Sequence, residues 1–209
     1  MVNIEKISIG KLKQNCYIIY KNKHCFIIDP GGDSDRIIDF IESKKLKVFA
    51  ILNTHGHYDH IGAVQELKDK FKIPFLLCSK DKKLLKHANL YFIFSPNAKF
   101  ISIPKVDYYF DEIELADFPI GVLFTPGHTS GGVCFQAENY LFTGDTLLKG
   151  ELAPIDKIEG NKFELIESLK KIAGLPLGTI IHPGHSKSTI LSDELKHNKE
   201  FIKMMEEKL

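Results

Sequence analysis

The chain has 209 residues and a net charge of +1, with Lys, Arg, Asp and Glu well mixed, so it presents no basic face for nucleic acid or an anionic membrane. No run of about 18 apolar residues occurs, which argues against a membrane-spanning helix. Apolar residues make up 44%, enough for the core of one large α/β domain over 1–209.

Taken in order, Val2–Ile9, Cys16–Tyr20 and Cys25–Asp29 read as short strands, the last closed by the turn Asp29-Pro30-Gly31-Gly32. Because Met1–Ile9 alternates and carries Glu5 and Lys6, it reads as a strand and not as a signal peptide. Ile37, Ile38 and Ile41 give Ser34–Lys45 a helical spacing. A strand over 48–53 follows, then a short loop and a helix from Ile61 to Phe71 or Lys72. Ile73–Cys78 reads as a strand and Lys80–Ala88 as a helix.

Residues 89–110 hold two aromatic runs, Leu90–Phe94 and Val106–Phe110. They suit core packing or a strand, with the walls of a substrate pocket as the alternative. Ile113–Leu115, Gly121–Thr125, Val133–Gln136 and Tyr140–Thr143 read as a second group of strands. A helix over Lys162–Ala173, ended near Gly174 and Pro176, precedes a strand over Thr179–Ile181. Asp193–Lys208 reads as a closing helix with Ser192 as N-cap. Alternating strands and helices place the chain in the α/β class. Cys16, Cys25, Cys78 and Cys134 sit in apolar runs without C-x-x-C spacing, which predicts buried reduced thiols and a cytoplasmic address.

The chemistry concentrates between Leu52 and Ile61, where His55, His57, Asp59 and His60 fall within six residues. The period of a strand end puts His55 and His57 on one side, Gly56 lets the chain turn, and Asp59 and His60 come round on the first helical turn. Isolated histidines are ordinary surface or core residues and an Asp before a helix is often a cap, but such crowding is not explained that way. Three more ligand types follow a strand and a glycine: His128, Asp145 and His185. Loops after strand ends are where α/β proteins gather sites. Seven ligands exceed one tetrahedral ion and suit two ions with a shared carboxylate.

The motifs Thr-His-Gly-His-Tyr-Asp-His at 54–60, Pro-Gly-His-Thr at 126–129, Gly-Asp-Thr at 144–146 and Pro-Gly-His at 183–185 resemble the metallo-β-lactamase-fold superfamily, nearest to its short glyoxalase II-like (hydroxyacylglutathione hydrolase-like) hydrolases. The resemblance implies a four-layer αβ/βα sandwich with the metals at one edge of the two sheets. It implies that His55, His57 and His128 hold a first divalent ion, that Asp59, His60 and His185 hold a second, and that Asp145 bridges them. Zinc is expected first, with iron or manganese acceptable to the same donors. It also implies hydrolysis of a thioester, by attack of a hydroxide shared by the ions on an acyl carbonyl, with Asp59 orienting the nucleophile. A thiolate leaves without much protonation, since a thiol's pKa is about 8.5, which favours thioesters over amides. The expected partner is a small-molecule acyl substrate, with no nucleic acid and no membrane; oligomeric state is silent in the sequence.

Rival activities within the resemblance are a mononuclear-iron persulfide dioxygenase and a lactonase. His60 and Asp145, in place of an Arg and a Cys, argue against a zinc β-lactamase, and His57 in place of Glu argues against the flavodiiron branch. Departures from the pattern fall outside the ligands. Only 24 residues follow His185, without the helical segment that holds glutathione in full-length glyoxalase II. Ala153-Pro154-Ile155-Asp156 replaces a frequent Gly-Arg-Thr-Asp, and Ser186 stands where Gly often follows the last ligand. His182 is read as structural, His24, His87 and His197 as ordinary residues, Tyr58 as packing or lining, and Lys149 as solvated, with a substrate carboxylate as its alternative partner.

Overall fold

A computed structural model describes residues 1–93, 100–111 and 120–207. By its internal contacts the chain divides into two units, Met1–Glu114 and Leu115–Leu209. In the first unit, β1 (Asn3–Ile9), β2 (Gln14–Lys21) and β3 (His24–Ile28) form an antiparallel meander. The register then turns parallel through β4 (Lys47–Leu52), β5 (Phe75–Leu77) and the short β6 (Tyr108–Tyr109), giving a six-stranded sheet in sequence order. Parallel neighbours need crossovers, and helices lie in all three. These are α1 (Ser34–Ser43) between β3 and β4, α2 (Tyr58–Ile61) with α3 (Val64–Phe71) between β4 and β5, and α4 (Lys82–Lys86) between β5 and β6. Ile37 and Ile41 of α1, and Val64 and Leu67 of α3, meet Cys16, Ile18, Cys25, Ile27 and Ile51 of the sheet in one buried cluster. Strand alternation and helical spacing, both written in the sequence, select those residues.

The second unit has a five-stranded sheet, ordered β11 (Thr189–Ile190), β10 (Ile180–Pro183), β9 (Tyr140–Gly144), β8 (Val133–Ala137), β7 (Gly121–Phe124). Among its described strands only β9 and β10 pair in parallel, and α5 (Lys162–Ala173) lies between them in sequence. Leu165, Leu169 and Ile172 of α5 share a buried cluster with Leu141, Ile181, Leu191 and Phe201. Asn161 caps α5, accepting from the backbone N–H of Phe163 and Glu164.

Three expected elements differ. The helix over 61–72 is two helices broken at Gly62, where an added Cβ would overlap the Gly31 carbonyl. Lys80–Ala88 is a 3-10 turn, Ser79–Asp81, running into α4 (Lys82–Lys86). The closing helix divides into α6 (Leu191–His197) and α7 (Lys199–Glu206), and Ile190 precedes α6, so Ser192 is not its cap. Asn198 makes the break: its backbone is extended and its side chain accepts from Phe201 N to start α7. Of the aromatic stretch, Ala88–Ile93 is a 3-10 turn and Tyr108–Tyr109 is β6. The strand expected over Ile113–Leu115, together with Phe94 and Lys208, lies outside the described residues. Among the described residues, no helix is long and apolar enough to cross a membrane.

Candidate metal centre

In the first unit, β4 delivers the chain into the loop 53–57, and His57, in extended conformation, immediately precedes α2. The loop is held from behind. Gly56 N donates to Asp81 Oδ2 at 2.9 Å, and a Cβ on Gly56 would stand 3.3 Å from Leu85 N, so α4 leaves little room for a side chain there. Asn53 Nδ2 donates to the His60 carbonyl at 2.8 Å, and Ala63 N donates to Pro30 O at 2.9 Å. The Pro30-Gly31 turn is pressed against α2 so closely that a Cβ on Gly31 would overlap the Asp59 carbonyl. As the strand period predicts, the His55 and His57 rings lie together, with centroids 4.7 Å apart; His55 and His60 are 4.2 Å apart. Asp59 and His60 stand on the first turn of α2.

Hydrogen-bond bookkeeping fixes the tautomers, which are assigned from the network. Asp29 is 2% exposed, and its Oδ1 accepts from Thr54 N at 2.7 Å. Its Oδ2 accepts from Thr54 Oγ1 at 2.6 Å and faces His60 Nδ1 at 3.0 Å. An ionised carboxylate only accepts, so His60 Nδ1 carries the proton and Nε2 the lone pair. The Thr54 hydroxyl spends its proton on Asp29, so at 3.0 Å from His55 Nδ1 it accepts, and His55 Nε2 likewise holds a lone pair. Asp29, His55 and His60 each bring a ligand-type atom within 4.8 Å of the others.

In the second unit the three candidates come from separate loops. His128 follows Gly127, whose φ of +137° and lack of a Cβ let the loop press onto the backbone of Leu165 at the start of α5. Asn161 N donates to Gly127 O at 2.8 Å and Asp156 N to His128 O at 2.9 Å. His128 Nδ1 lies 2.7 Å from the carbonyl of Pro154, which only accepts, so a third imidazole carries its lone pair on Nε2. Asp145 follows β9, and Gly184 N donates to Gly144 O at 2.7 Å, tying its loop to that of His185. His128 Nε2 and His185 Nε2 stand 3.8 and 3.7 Å from Asp145 Oδ2. Those separations exceed a hydrogen bond and approach the roughly 3.4 Å between two ligands on one tetrahedral ion.

The remaining candidates fall elsewhere. His182 stacks on Tyr140 and Phe142, with Nδ1 2.8 Å from Ser188 Oγ, as a structural histidine would. Tyr58 packs against the first unit's core, and Lys149 is exposed. The four cysteines are buried thiols, none of them in a disulfide. Burial, with the Asp29 charge second, holds the Cys16 thiol well above its ordinary pKa; burial pushes Cys25 up to about 12 and raises Cys78. Asp29, Thr54, Asn53, Asp81 and Pro154 were not singled out by sequence as site residues. Asp29 carried a signal, an acid at the end of a fully apolar strand, but its Pro-Gly-Gly sequel made it read as a turn.

Carboxylates and imidazoles whose lone pairs are fixed on Nε2 are a donor set that fits a divalent ion of zinc or iron type. The sequence model of the metallo-beta-lactamase superfamily matches residues 9–185. Among relatives, a hydroxyacylglutathione hydrolase of Haemophilus influenzae is 31% identical, over 94% of this chain and 97% of its own. Among solved structures, TTHA1623 in a di-iron-bound form has a TM-score of 0.85 at 31% identity, covering 93% of this chain and 98% of its own. The B3 metallo-beta-lactamase BLEG-1 has a TM-score of 0.84 at 32% identity, covering 94% and 98%.

Proposed function

The chain belongs to the metallo-beta-lactamase superfamily, and we propose that it is a metal-dependent hydrolase whose substrate is the thioester of a small acyl group. The observation that carries this reading is the direction of three imidazoles. His55, His60 and His128 each place Nδ1 against a fixed oxygen, of Thr54, Asp29 and Pro154, and so keep Nε2 for a cation. Following the family pattern, His55, His57 and His128 would hold a first ion, Asp59, His60 and His185 a second, and Asp145 both. Zinc, iron and manganese all suit these donors, and the di-iron relative supports iron beside zinc.

Divalent ions bound there would supply Lewis acidity and a water whose pKa falls toward about 7. The rest is the work of the chain itself. Asp29, Thr54 and the Pro154 carbonyl hold three protons on Nδ1 and prevent the tautomer that would block Nε2. The Asp59 carboxylate orients the attacking nucleophile by accepting a hydrogen bond from it. A leaving thiolate asks for no general acid, consistent with the motifs offering none. The relative named hydroxyacylglutathione hydrolase supports a thioester. We propose no glutathione contact, no nucleic acid and no membrane partner.

A thioester and lactone hydrolysis screen tests the reading, with Asp145→Ala and His57→Ala alongside. Each variant is expected to lose bound metal and at least about a thousandfold in turnover. Full activity in either purified variant would overturn the assignment. A β-lactam is the second substrate class, favoured by the likeness to a B3 metallo-beta-lactamase. Chromogenic β-lactam turnover faster than any thioester's would select it.

A further inference from the structure

Glu194 lies in α6 and none of the motifs includes it, yet it is a carboxylate only 3% exposed. A buried carboxylate needs partners, and this one takes three neutral donors from three segments. Gly150 N donates to Oε2 at 2.9 Å, Thr189 Oγ1 to Oε1 at 2.7 Å, and Asn198 Nδ2 to Oε2 at 2.8 Å. Gly150 lies in the loop that starts at Asp145 and ends at Pro154, the residue whose carbonyl orients His128. Thr189 closes the loop that follows His185. Further bonds knit the same junction: Asn198 Nδ2 to Glu151 O at 3.2 Å, Leu148 N to Glu151 O at 3.1 Å, and Leu152 N to Glu200 Oε2 at 2.8 Å.

We propose that Glu194 is the positioning residue of the second unit's half-site, a buried clamp that fixes the 145–154 loop against the 186–189 segment and thereby sets the spacing of Asp145, His128 and His185. The inference rests on the reading of those three residues as metal ligands. It assigns a task to the C-terminal helices: they anchor the site's loops from behind without touching the ligands. The clamp works by hydrogen-bond geometry, so its charge is dispensable. In Glu194→Gln, the amide oxygen can accept from Gly150 N and Asn198 Nδ2, while the Thr189 hydroxyl turns to accept from the amide nitrogen. Glu194→Ala takes the acceptor away from Gly150 N and from the buried Thr189 hydroxyl, and leaves Asn198 Nδ2 only its longer bond to Glu151 O.

The test uses the full chain, stripped by chelation and titrated with Co²⁺ alone, with circular dichroism to verify folding. Limited proteolysis of the metal-free protein reads cleavage within 145–154. Glu194→Ala is expected to weaken cobalt binding by about ten- to a hundredfold, to alter the visible cobalt spectrum and to speed cleavage of that loop. Glu194→Gln is expected to stay close to the parent in all three. Should Glu194→Ala not fold, Glu194→Gln is compared with the double variant Glu194→Gln/Thr189→Val. The added valine removes the acceptor for the Gln amide and is expected to weaken binding by about tenfold. Parental cobalt affinity and loop protection in Glu194→Ala, or in the double variant, would overturn the clamp. A parent chain that binds no cobalt would overturn the metal-site reading instead; faster loop cleavage confined to the Ala variant would still uphold the clamp, and unchanged cleavage would remove it as well.

Discussion

The two units solve one problem, aiming polar side chains with little freedom, by different means. In the first, four candidate ligands lie within six residues at the end of β4, and their backbone is held by buried side chains close at hand: Asp29, Asn53 and Asp81. In the second, His128, Asp145 and His185 come from three loops far apart in sequence. There the contacts are a backbone carbonyl, a hydrogen bond between loops and a clamp at Glu194. Both need partners distant in sequence: Asp29 reaches His60 across 31 residues and Asp81 reaches Gly56 across 25. The compact motif takes them onto a single loop, whereas the dispersed one also needs its three loops tied to one another, and the residue that ties them looks like an ordinary surface helix residue until the fold is known.

The largest effect expected of breaking either arrangement comes from its glycine. Gly31→Ala would drive a Cβ into the Asp59 carbonyl, and Gly127→Ala would drive one into Leu165 at a φ of +137°. Each should cost about 3 kcal/mol or more in a denaturant titration. Next comes Asp29→Asn. An Asn can still accept from Thr54 N, but its amide N–H would face His60 Nδ1, which must then give up its proton and place it on Nε2. Metal affinity should fall about ten- to a hundredfold, read by titration of the stripped protein, with a smaller change in stability.

A weaker effect concerns acid and the edge of the first sheet. For Asp107, burial raises the carboxyl, but Lys68 at 2.6 Å and the Phe75 N–H at 2.8 Å outweigh it and leave the group below its ordinary value. Asp111, paired with Ser79, is lowered in the same way. A folded value below the unfolded one means stability that is fully present above the unfolded value of about 3.9 and is lost as the pH falls from there through the lower folded value. The difference in denaturant midpoint between parent and Asp107→Asn should therefore shrink from pH 6 to pH 3; the pair is partly exposed, so it should amount to under about 1 kcal/mol. The smallest effect is a gain. Ser186 adopts a left-handed φ of +69°, so Ser186→Gly should stabilise the second unit by up to about 1 kcal/mol, read as a small rise in melting temperature.

The same contrast explains what the sequence made legible. Helical spacing marked Ile37 and Ile41, and apolar runs marked Cys16 and Cys25 as buried, because burial on one face leaves a pattern in the sequence. The ligand types were legible because they lie just beyond strand ends, and four of the seven, His57, His128, Asp145 and His185, directly follow a glycine. Their supports were not, because a buried Asp, Thr or Glu has no period and its partners are distant in sequence: Asp29 meets His60 across 31 residues, and Glu194 meets Gly150 across 44. The break at Asn198 escaped notice for a related reason, since an Asn inside an amphipathic pattern signals a cap only when something else holds its side chain. The Ser186 departure was visible, and its left-handed backbone supplies the reason a glycine is favoured there.

Metal equivalents per chain, in protein purified without added metal, decide whether the proposed ligands serve a two-metal hydrolase. About two ions of zinc, iron or manganese are expected, falling in Asp145→Ala. A chain that retains no metal, or a single iron accompanied by sulfur-dependent oxygen uptake and no thioester hydrolysis, would contradict the two-metal reading.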